Sequence, residues 1–364
     1  MTSQQRTIAI LTGGGDCPGL NAVIRAVVRT AHMHHIRVLG IERGYGGLLG
    51  NGRVYELTLD HVKDILHLGG TILGTTNRGN PFCYETSAGP IDKSDEVLLQ
   101  LKQLQVDSII SVGGDGSQKI AFELFKKGIN VIGIPKTIDN DLHGTEVTFG
   151  FQTAMQIATD ALDRLHSTAE SHDRVMILEV MGREAGFIAL HTAIAGAADV
   201  CLIPEIPFNI DVVCEKIQTR IRRGTYFSLV VVAEGAFMNH DQPNIIEISQ
   251  QGAAKRFSGI GDKVAAMIRE KTDREVRVTV LGHIQRGGTP LAYDRILATR
   301  MGVHAINALI NHERGVLVGI QNNQMITTPL ETVLSQSKQV DILSDTVKAA
   351  RAVGITFGDE PISN

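Results

Sequence analysis

With 364 residues the chain is too long for one ordinary core and suits two linked units, and 43% hydrophobic against 20% charged residues excludes a disordered chain. A net charge of -4, with no basic stripe interleaved with aromatics, excludes nucleic acid as the expected partner. No apolar run reaches membrane-spanning length and Met1 to Arg6 lacks a signal-peptide core, so we expect a cytoplasmic protein with no membrane association.

The expected elements alternate along the chain. Thr7 to Leu11 reads as a buried strand, followed by a glycine-rich turn and a helix from Leu20 to His34. Strands follow at Ile36 to Ile41, Ser108 to Val112 and Val131 to Ile134, with a helix over Asp95 to Gln105. A second series begins near Phe149, with a helix over Gln152 to His166 and strands at Val175 to Val180, Ser228 to Ala233 and Val276 to Leu281. Strand, glycine turn and helix in this order predict βαβ units. The expected fold is α/β, with two doubly wound lobes, largely parallel sheets and an active site in the cleft between the lobes. Residues 1–150 with about 285–335 would form one lobe, and about 151–284 with 336–364 the other. Cys17, Cys83, Cys201 and Cys214 are scattered without a CxxC pair and read as thiols in a reducing cytosol. His32, His34 and His35 have no nearby Cys or carboxylate to complete a metal site and read as a solvated helix end.

In open parallel sheets, ligands meet the carboxyl ends of the strands. There stands Gly113-Gly114-Asp115-Gly116-Ser117, with a helix expected from Ser117. Glycines let a polyphosphate approach the backbone, and a helix N-terminus offers unpaired N–H groups to its oxygens. Asp115 suits a contact to the Mg²⁺ that accompanies such a phosphate. The structural alternative is a tight turn with Ser117 as N-cap. Thr12-Gly13-Gly14-Gly15-Asp16 repeats the arrangement after the first strand. Pro135-Lys136-Thr137-Ile138-Asp139-Asn140-Asp141 carries two carboxylates two residues apart, which an extended run would aim to one side. Phosphoryl transfer to an alcohol needs a base and a metal site, and Asp139 and Asp141 can divide those roles. A polar turn bonding its own backbone accounts for the same residues. Arg78, Arg174, Arg183, Arg277 and Arg286 lie in or beside glycine-rich loops and strand ends, and arginine grips phosphate through paired N–H bonds. Glu234 suits sugar hydroxyls and His283 a sugar phosphate; a surface charge or a structural hydrogen bond explains any one of these alone.

Taken together the motifs resemble the phosphofructokinase A family. The matching stretches are GGGDCPGLNAVIR, GGTILGTTNRGNPF, GGDGS, PKTIDND, SHDRVMILEVMGREAG, AEG, TVLGHIQRGGTPLAYDRILATRMG and VGIQN, in that order from about Ile8 to about Asn322. The resemblance implies transfer of the γ-phosphoryl group of ATP to the 1-hydroxyl of fructose 6-phosphate, giving fructose 1,6-bisphosphate and ADP in glycolysis, with Mg²⁺. It implies Asp139 as base, with Arg183 and Thr137 in the catalytic set. Gly15, Gly114, Gly116 and Ser117 would line the nucleotide phosphates, with Tyr45 near the base and Arg78 bridging the donor phosphates. Asp115 and Asp141 would face the metal. Thr137, Asp139, Met181, Gly182, Arg183, Glu234, His283 and Arg286 would hold the sugar phosphate. Arg174 and Arg277 would reach it from a neighbouring subunit, which implies a homo-oligomer, expected to be a tetramer with shared active sites.

The chain departs from the well-known bacterial members of that family at several places. Lys136 replaces their glycine and is usual in pyrophosphate-dependent relatives, which place Asp where Gly116 stands. Gly116 with Lys136 resembles a mixed, ATP-dependent branch, and makes this pair the expected donor selector. Gly79-Asn80-Pro81 is altered after Arg78. Arg25 and Arg29 match the family's effector positions, but Thr225-Tyr226-Phe227 and His166 replace the usual basic residues, so control by ADP or phosphoenolpyruvate is not expected to carry over. The alternatives are a pyrophosphate-dependent enzyme with the same acceptor, another GGDG kinase such as one acting on NAD, and a non-catalytic sugar-phosphate-binding subunit. The NAD-type kinases lack TIDND and GHIQRGG, and a non-catalytic subunit would be expected to lose Asp115 or Asp139.

Overall fold

Short apolar runs ended by glycine or polar turns form the strands of two parallel sheets. The computed structural model describes residues 5–239, 245–248, 255–257 and 259–361. Two units are distinguished: Met1–Gln152 with Arg286–Ser337, and Thr153–Gln285 with Lys338–Asn364.

The first unit is built on an eight-stranded sheet. Its order is Gln324–Pro329, Val316–Gln321, Asn130–Thr137, Ser108–Gly113, Thr7–Thr12, Arg37–Ile41 and Val54–Glu56, with Phe149–Gly150 paired to Asn130–Thr137. The inner pairings are parallel and the two outermost antiparallel. The three central strands are buried along their whole length. Ala9, Leu11, Ile109 and Val131 share one apolar face, against Val97, Leu101, Ala121 and Leu124 of two helices. Each such side chain contributes about 1.5–3 kcal/mol on burial. Helix Leu20–Met33 packs on helix Ala292–Ile310, where a Cβ on Gly302 would stand 2.8 Å from the Ala26 Cβ. Thr7–Thr12 pairs with Arg37–Ile41 on one side and Ser108–Gly113 on the other. That reversal of winding opens the ligand position of a doubly wound sheet.

The second unit has a four-stranded parallel sheet, ordered Val200–Leu202, Ser228–Ala233, Val175–Val180, Val276–Val280. Ile177, Val230 and Val232 pack against Val213, Ile217, Val264 and Ile268 from two helices. One acid interrupts the apolar run Val175–Val180: the buried Glu179 accepts a 2.8 Å bond from the Gly261 N–H at the start of helix Ile260–Thr272. Burial raises its pKa, and the bonds from the helix terminus oppose the shift.

Two expected boundaries are corrected. The strand placed at Val131 to Ile134 runs from Asn130 to Thr137, because Pro135 still pairs with Gly113 and Lys136 and Thr137 pair with Phe149 and Gly150. The helix expected from Ser117 starts at Asp115, with Gly114 at the N-cap, so Ser117 is inside the first turn and the N-cap-serine alternative falls. His32, His34 and His35 are exposed at the end of their helix, and no metal-binding group of three forms among the described residues. No disulfide forms among the described residues, and none of their helices is long and apolar enough to cross a membrane.

The carboxyl ends of the central strands are packed with little tolerance. A Cβ on Gly113 would overlap the Ser117 side chain. Gly113→Ala should therefore cost roughly 1–3 kcal/mol by overpacking, and chemical denaturation measures it. The double variant with Ser117→Gly should recover most of the loss. An undisturbed Gly113→Ala would mean that the two loops are not interlocked.

Candidate active site

In the first unit three loops leave adjacent parallel strands on the same side. Gly13–Asp16 follows Thr12, Gly114–Ser117 follows Gly113 and Ile138–Asp141 follows Thr137. The first is tied to its surroundings by Gly13 N to Val112 O (2.9 Å), Gly14 N to Thr76 O (3.0 Å) and Thr75 Oγ1 to Gly14 O (2.6 Å). The Ser117 side chain occupies the space that side chains at Gly13 and Gly113 would need. Beside it the buried Gln118 Nε2 lies 3.0–3.2 Å from the carbonyls of Ser111, Gly113 and Ile134, fixing the helix start to two strands.

Gly116 differs from these packed glycines. A Cβ there meets nothing within 4 Å. Its side-chain position faces open space, at the positive end of helix Asp115–Lys126. Gly114 has ordinary clearance, 3.5 Å from the Lys136 carbonyl. Asp115 is half-exposed and ion-paired to Lys119 at 2.7 Å. Such an exposed i,i+4 pair is worth only about 0.3–0.5 kcal/mol, so it would yield to a metal. Lys136 is buried, and its Nζ donates to the Gly15 carbonyl. Arg286 lies on the same glycine, where any Cβ would overlap its guanidinium. Two cations thus converge on Gly15. Arg78 is exposed on the loop that holds Gly14.

The TIDND segment corrects one premise. Asn140 has φ 56, in the left-handed region, so the run is bent and strand alternation does not bring Asp139 and Asp141 to one side. Asp139 is buried and Asp141 half-buried. Thr137 Oγ1 accepts from Asp139 N at 3.0 Å, and Thr148 fixes the segment through Thr137 O (2.7 Å) and Asn140 Oδ1 (3.1 Å). The Tyr45 ring packs in the core with Leu11, Ile41 and Val97, where burial raises its pKa.

In the second unit, Met181–Gly186, Glu234–Ala236 and Leu281–Gln285 leave the carboxyl ends of three adjacent strands. Gly182 (φ 150) and Arg183 (φ 55) turn the first of these sharply. Three backbone N–H groups hold it, each on a side chain from another segment. Met181 N donates to Gln285 Oε1 (2.8 Å), Arg183 N to Glu234 Oε1 (3.0 Å) and Gly186 N to Glu205 Oε1 and Oε2 (2.9 and 3.1 Å). Glu234, expected to meet sugar hydroxyls, thus has one oxygen committed to the backbone. His283 is exposed in a 3₁₀ turn, Gly282–Arg286. Gln285, Glu205 and Gln118 were not singled out from the sequence. Gln285 sat inside a motif already noted, whereas Glu205 and Gln118 carry no local signal.

Arg174 and Arg277 lie at the opposite, amino end of this sheet. Both pair with Glu275, Arg174 at 2.8 Å. Strand register puts Val175 beside Val276. The six-residue strand that follows Arg174 separates it from Met181 by roughly 20 Å at about 3.3 Å per residue. These two arginines are therefore not part of the loop cluster of their own unit.

The sheet, its switch point and these loops define an α/β phosphotransferase-like site, and the family comparison is specific. Residues 7–309 match the phosphofructokinase family model, and the chain belongs to that family. It is 48% identical over 363 residues to an ATP-dependent 6-phosphofructokinase of Chloroflexus aurantiacus, covering 99% of this chain and 100% of that one. It is 49% identical to ATP-dependent 6-phosphofructokinase 2 of Clostridium perfringens, over 97% and 99% of the two chains. Among solved structures it is similar to Pichia pastoris phosphofructokinase, with TM-score 0.81 and 29% identity; the match covers 97% of this chain and 37% of that longer one. A pyrophosphate-dependent phosphofructokinase of Marinobacter aquaeolei has the same fold, with TM-score 0.79, 22% identity and coverage of 99% and 94%.

The Arg183 turn is also held by a steric contact, since a Cβ on Gly235 would overlap the Arg183 carbonyl. Gly235→Ala cannot be absorbed by rotating a side chain, and should lower kcat/KM about tenfold or more, equivalent to about 1.4 kcal/mol. Steady-state kinetics with a melting curve tests this. Wild-type activity would mean that the turn need not be held in this conformation.

Proposed function

We propose that the chain catalyses ATP-dependent phosphorylation of fructose 6-phosphate through the loops described above. The γ-phosphoryl group of ATP passes to the 1-hydroxyl, giving fructose 1,6-bisphosphate and ADP, a glycolytic reaction. Near-complete coverage of relatives that carry this name supports it. The observation that carries it is the pair of glycine-rich segments straddling the switch point, with open space over Gly116 and the buried Asp139 one strand away.

The donor phosphates would lie along Gly13–Gly15 and Gly114–Ser117, where the helix terminus and the Lys136 and Arg286 cations beside Gly15 oppose their charge. Arg78 would bridge them. Asp139 accepts the proton of the 1-hydroxyl as it attacks, and Thr137 holds the backbone of that base. Arg183 offsets charge on the transferred group. Thr137, Asp139, Met181, Gly182, Arg183, Glu234, His283 and Arg286 are the proposed sugar-phosphate contacts. Mg²⁺ fits the donor set, because it characteristically takes one or two carboxylates with phosphate oxygens and water rather than an all-protein cage. Asp115 and Asp141 would hold it, and it would neutralise phosphate charge when bound.

ATP is favoured over pyrophosphate by two observations. Gly116 leaves room for an α-phosphate against the backbone. Lys136, the feature shared with pyrophosphate-dependent relatives, is engaged on Gly15 and acts as a buried strut of the donor loop.

We further infer a cytoplasmic homo-oligomer, with the tetramer of the family as the reading we favour. Its support is the position of Arg174 and Arg277 at the amino end of their sheet, which suits donation to a neighbouring subunit. Asp139→Asn should lower kcat by about 10²–10⁴-fold with little change in substrate affinity. Mixing it with Arg174→Ala subunits should restore part of the activity, because some hybrid sites carry both intact groups. A near-normal kcat in Asp139→Asn counts against the base. No recovery in proven hybrids counts against shared sites.

A further inference from the structure

We propose that Glu205 is a positioning residue for the acceptor half of the reaction, setting Arg183 through the far end of the Met181–Gly186 loop. This rests on the proposed role of Arg183. Glu205 follows the short strand Val200–Leu202 and belongs to none of the motifs that carry the family resemblance.

Its carboxylate joins three segments of the second unit. Both oxygens receive the Gly186 N–H, at 2.9 and 3.1 Å, and Oε1 also receives the Val340 N–H at 2.8 Å. Gly186 must be glycine there, because a Cβ would stand 2.5 Å from the Ile203 Cβ and 2.7 Å from Glu205 Oε2. Gly186 also caps helix Phe187–Ala195, so the acid meets the positive end of that helix. The residues around Val340 bind the same loop. Gln339 Nε2 donates to the Glu184 carbonyl at 3.3 Å, and the Lys338 ammonium lies 5.2 Å from the centre of the Phe187 ring.

The loop is therefore pinned at both ends. Gln285 and Glu234 hold Met181 and Arg183, and Glu205 holds Gly186. Within the loop, Gly182 adopts its positive φ freely, but Arg183 at φ 55 is a non-glycine residue in the left-handed region, which an unsupported loop would abandon. Removing the acceptor at Glu205 takes a hydrogen bond from Gly186 and from Val340 together. The Arg183 guanidinium then loses its fixed origin, although Glu205 touches no substrate. The donor loops belong to the other unit and hang on different bonds, so ATP recognition has no reason to change.

The experiment compares full-length wild type, Glu205→Leu, Glu205→Gln and Arg183→Ala. It measures melting temperature, kcat and separate KM values for ATP and fructose 6-phosphate. Glu205→Leu should lower kcat/KM for fructose 6-phosphate by about tenfold or more, and shift KM for ATP by less than about twofold. Glu205→Gln keeps one acceptor oxygen, and should recover much of the loss. If the Leu variant does not fold, the Gln variant decides, with a loss of about threefold expected on the fructose 6-phosphate side alone. A lowered melting temperature with both KM values and kcat unchanged makes Glu205 merely structural and overturns the proposal. Equal losses toward both substrates overturn it as well. If Arg183→Ala leaves fructose 6-phosphate kinetics intact, the role of Arg183 fails and this inference falls with it. If Arg183→Ala is impaired and both Glu205 variants are normal, only the inference about Glu205 fails.

Discussion

The Ser117 side chain stands in space that exists only because Gly13 and Gly113 have no Cβ. This interlock holds two glycine loops together at the ends of adjacent parallel strands. It is a packing constraint before it is a functional one, and it sets the Gly13–Gly15 loop beside the start of helix Asp115–Lys126. Gln118, one residue further, ties the same helix start to two strand ends. Under the proposed function the donor phosphates would meet this helix start, with Lys136 and Arg286 beside Gly15.

The second unit meets the opposite requirement. Under the proposed function the Met181–Gly186 loop would present side chains to a sugar phosphate at fixed angles, from a turn with two positive φ values. The left-handed Arg183 costs free energy, and side-chain acceptors from three other segments stabilise the turn. At the other end of the same sheet, Arg174 and Arg277 share one carboxylate, a weak restraint for two exposed or half-exposed arginines. In the proposed assembly they would meet a ligand that a second subunit presents.

Much of the fold was legible because buried strands are short apolar runs with clear ends. Val175–Val180 and Ser228–Ala233 have the bounds read from the sequence. The strand ending at Thr137 was cut short because Pro135 reads as a stop, although its neighbour in register is Gly113. Helix Ala292–Ile310 went unassigned, since small and apolar residues occur around it and give no clean period. A motif gives the position of Tyr45 in the chain and not the burial of its ring. Gln118 and Glu205 escaped for a related reason: each acts through bonds to distant backbone, which no local pattern records.

Donor choice tests the account most directly, because it depends on the open space at Gly116 and the buried Lys136. The measurement is kcat/KM for ATP and for pyrophosphate, with fructose 6-phosphate and Mg²⁺, in wild type and Gly116→Asp. Wild type should prefer ATP. The variant should lose ATP activity by about tenfold or more while holding or gaining pyrophosphate activity, since an added carboxylate fills the α-phosphate position and repels it. A wild type that prefers pyrophosphate, or a variant that loses both donors equally, would contradict the account.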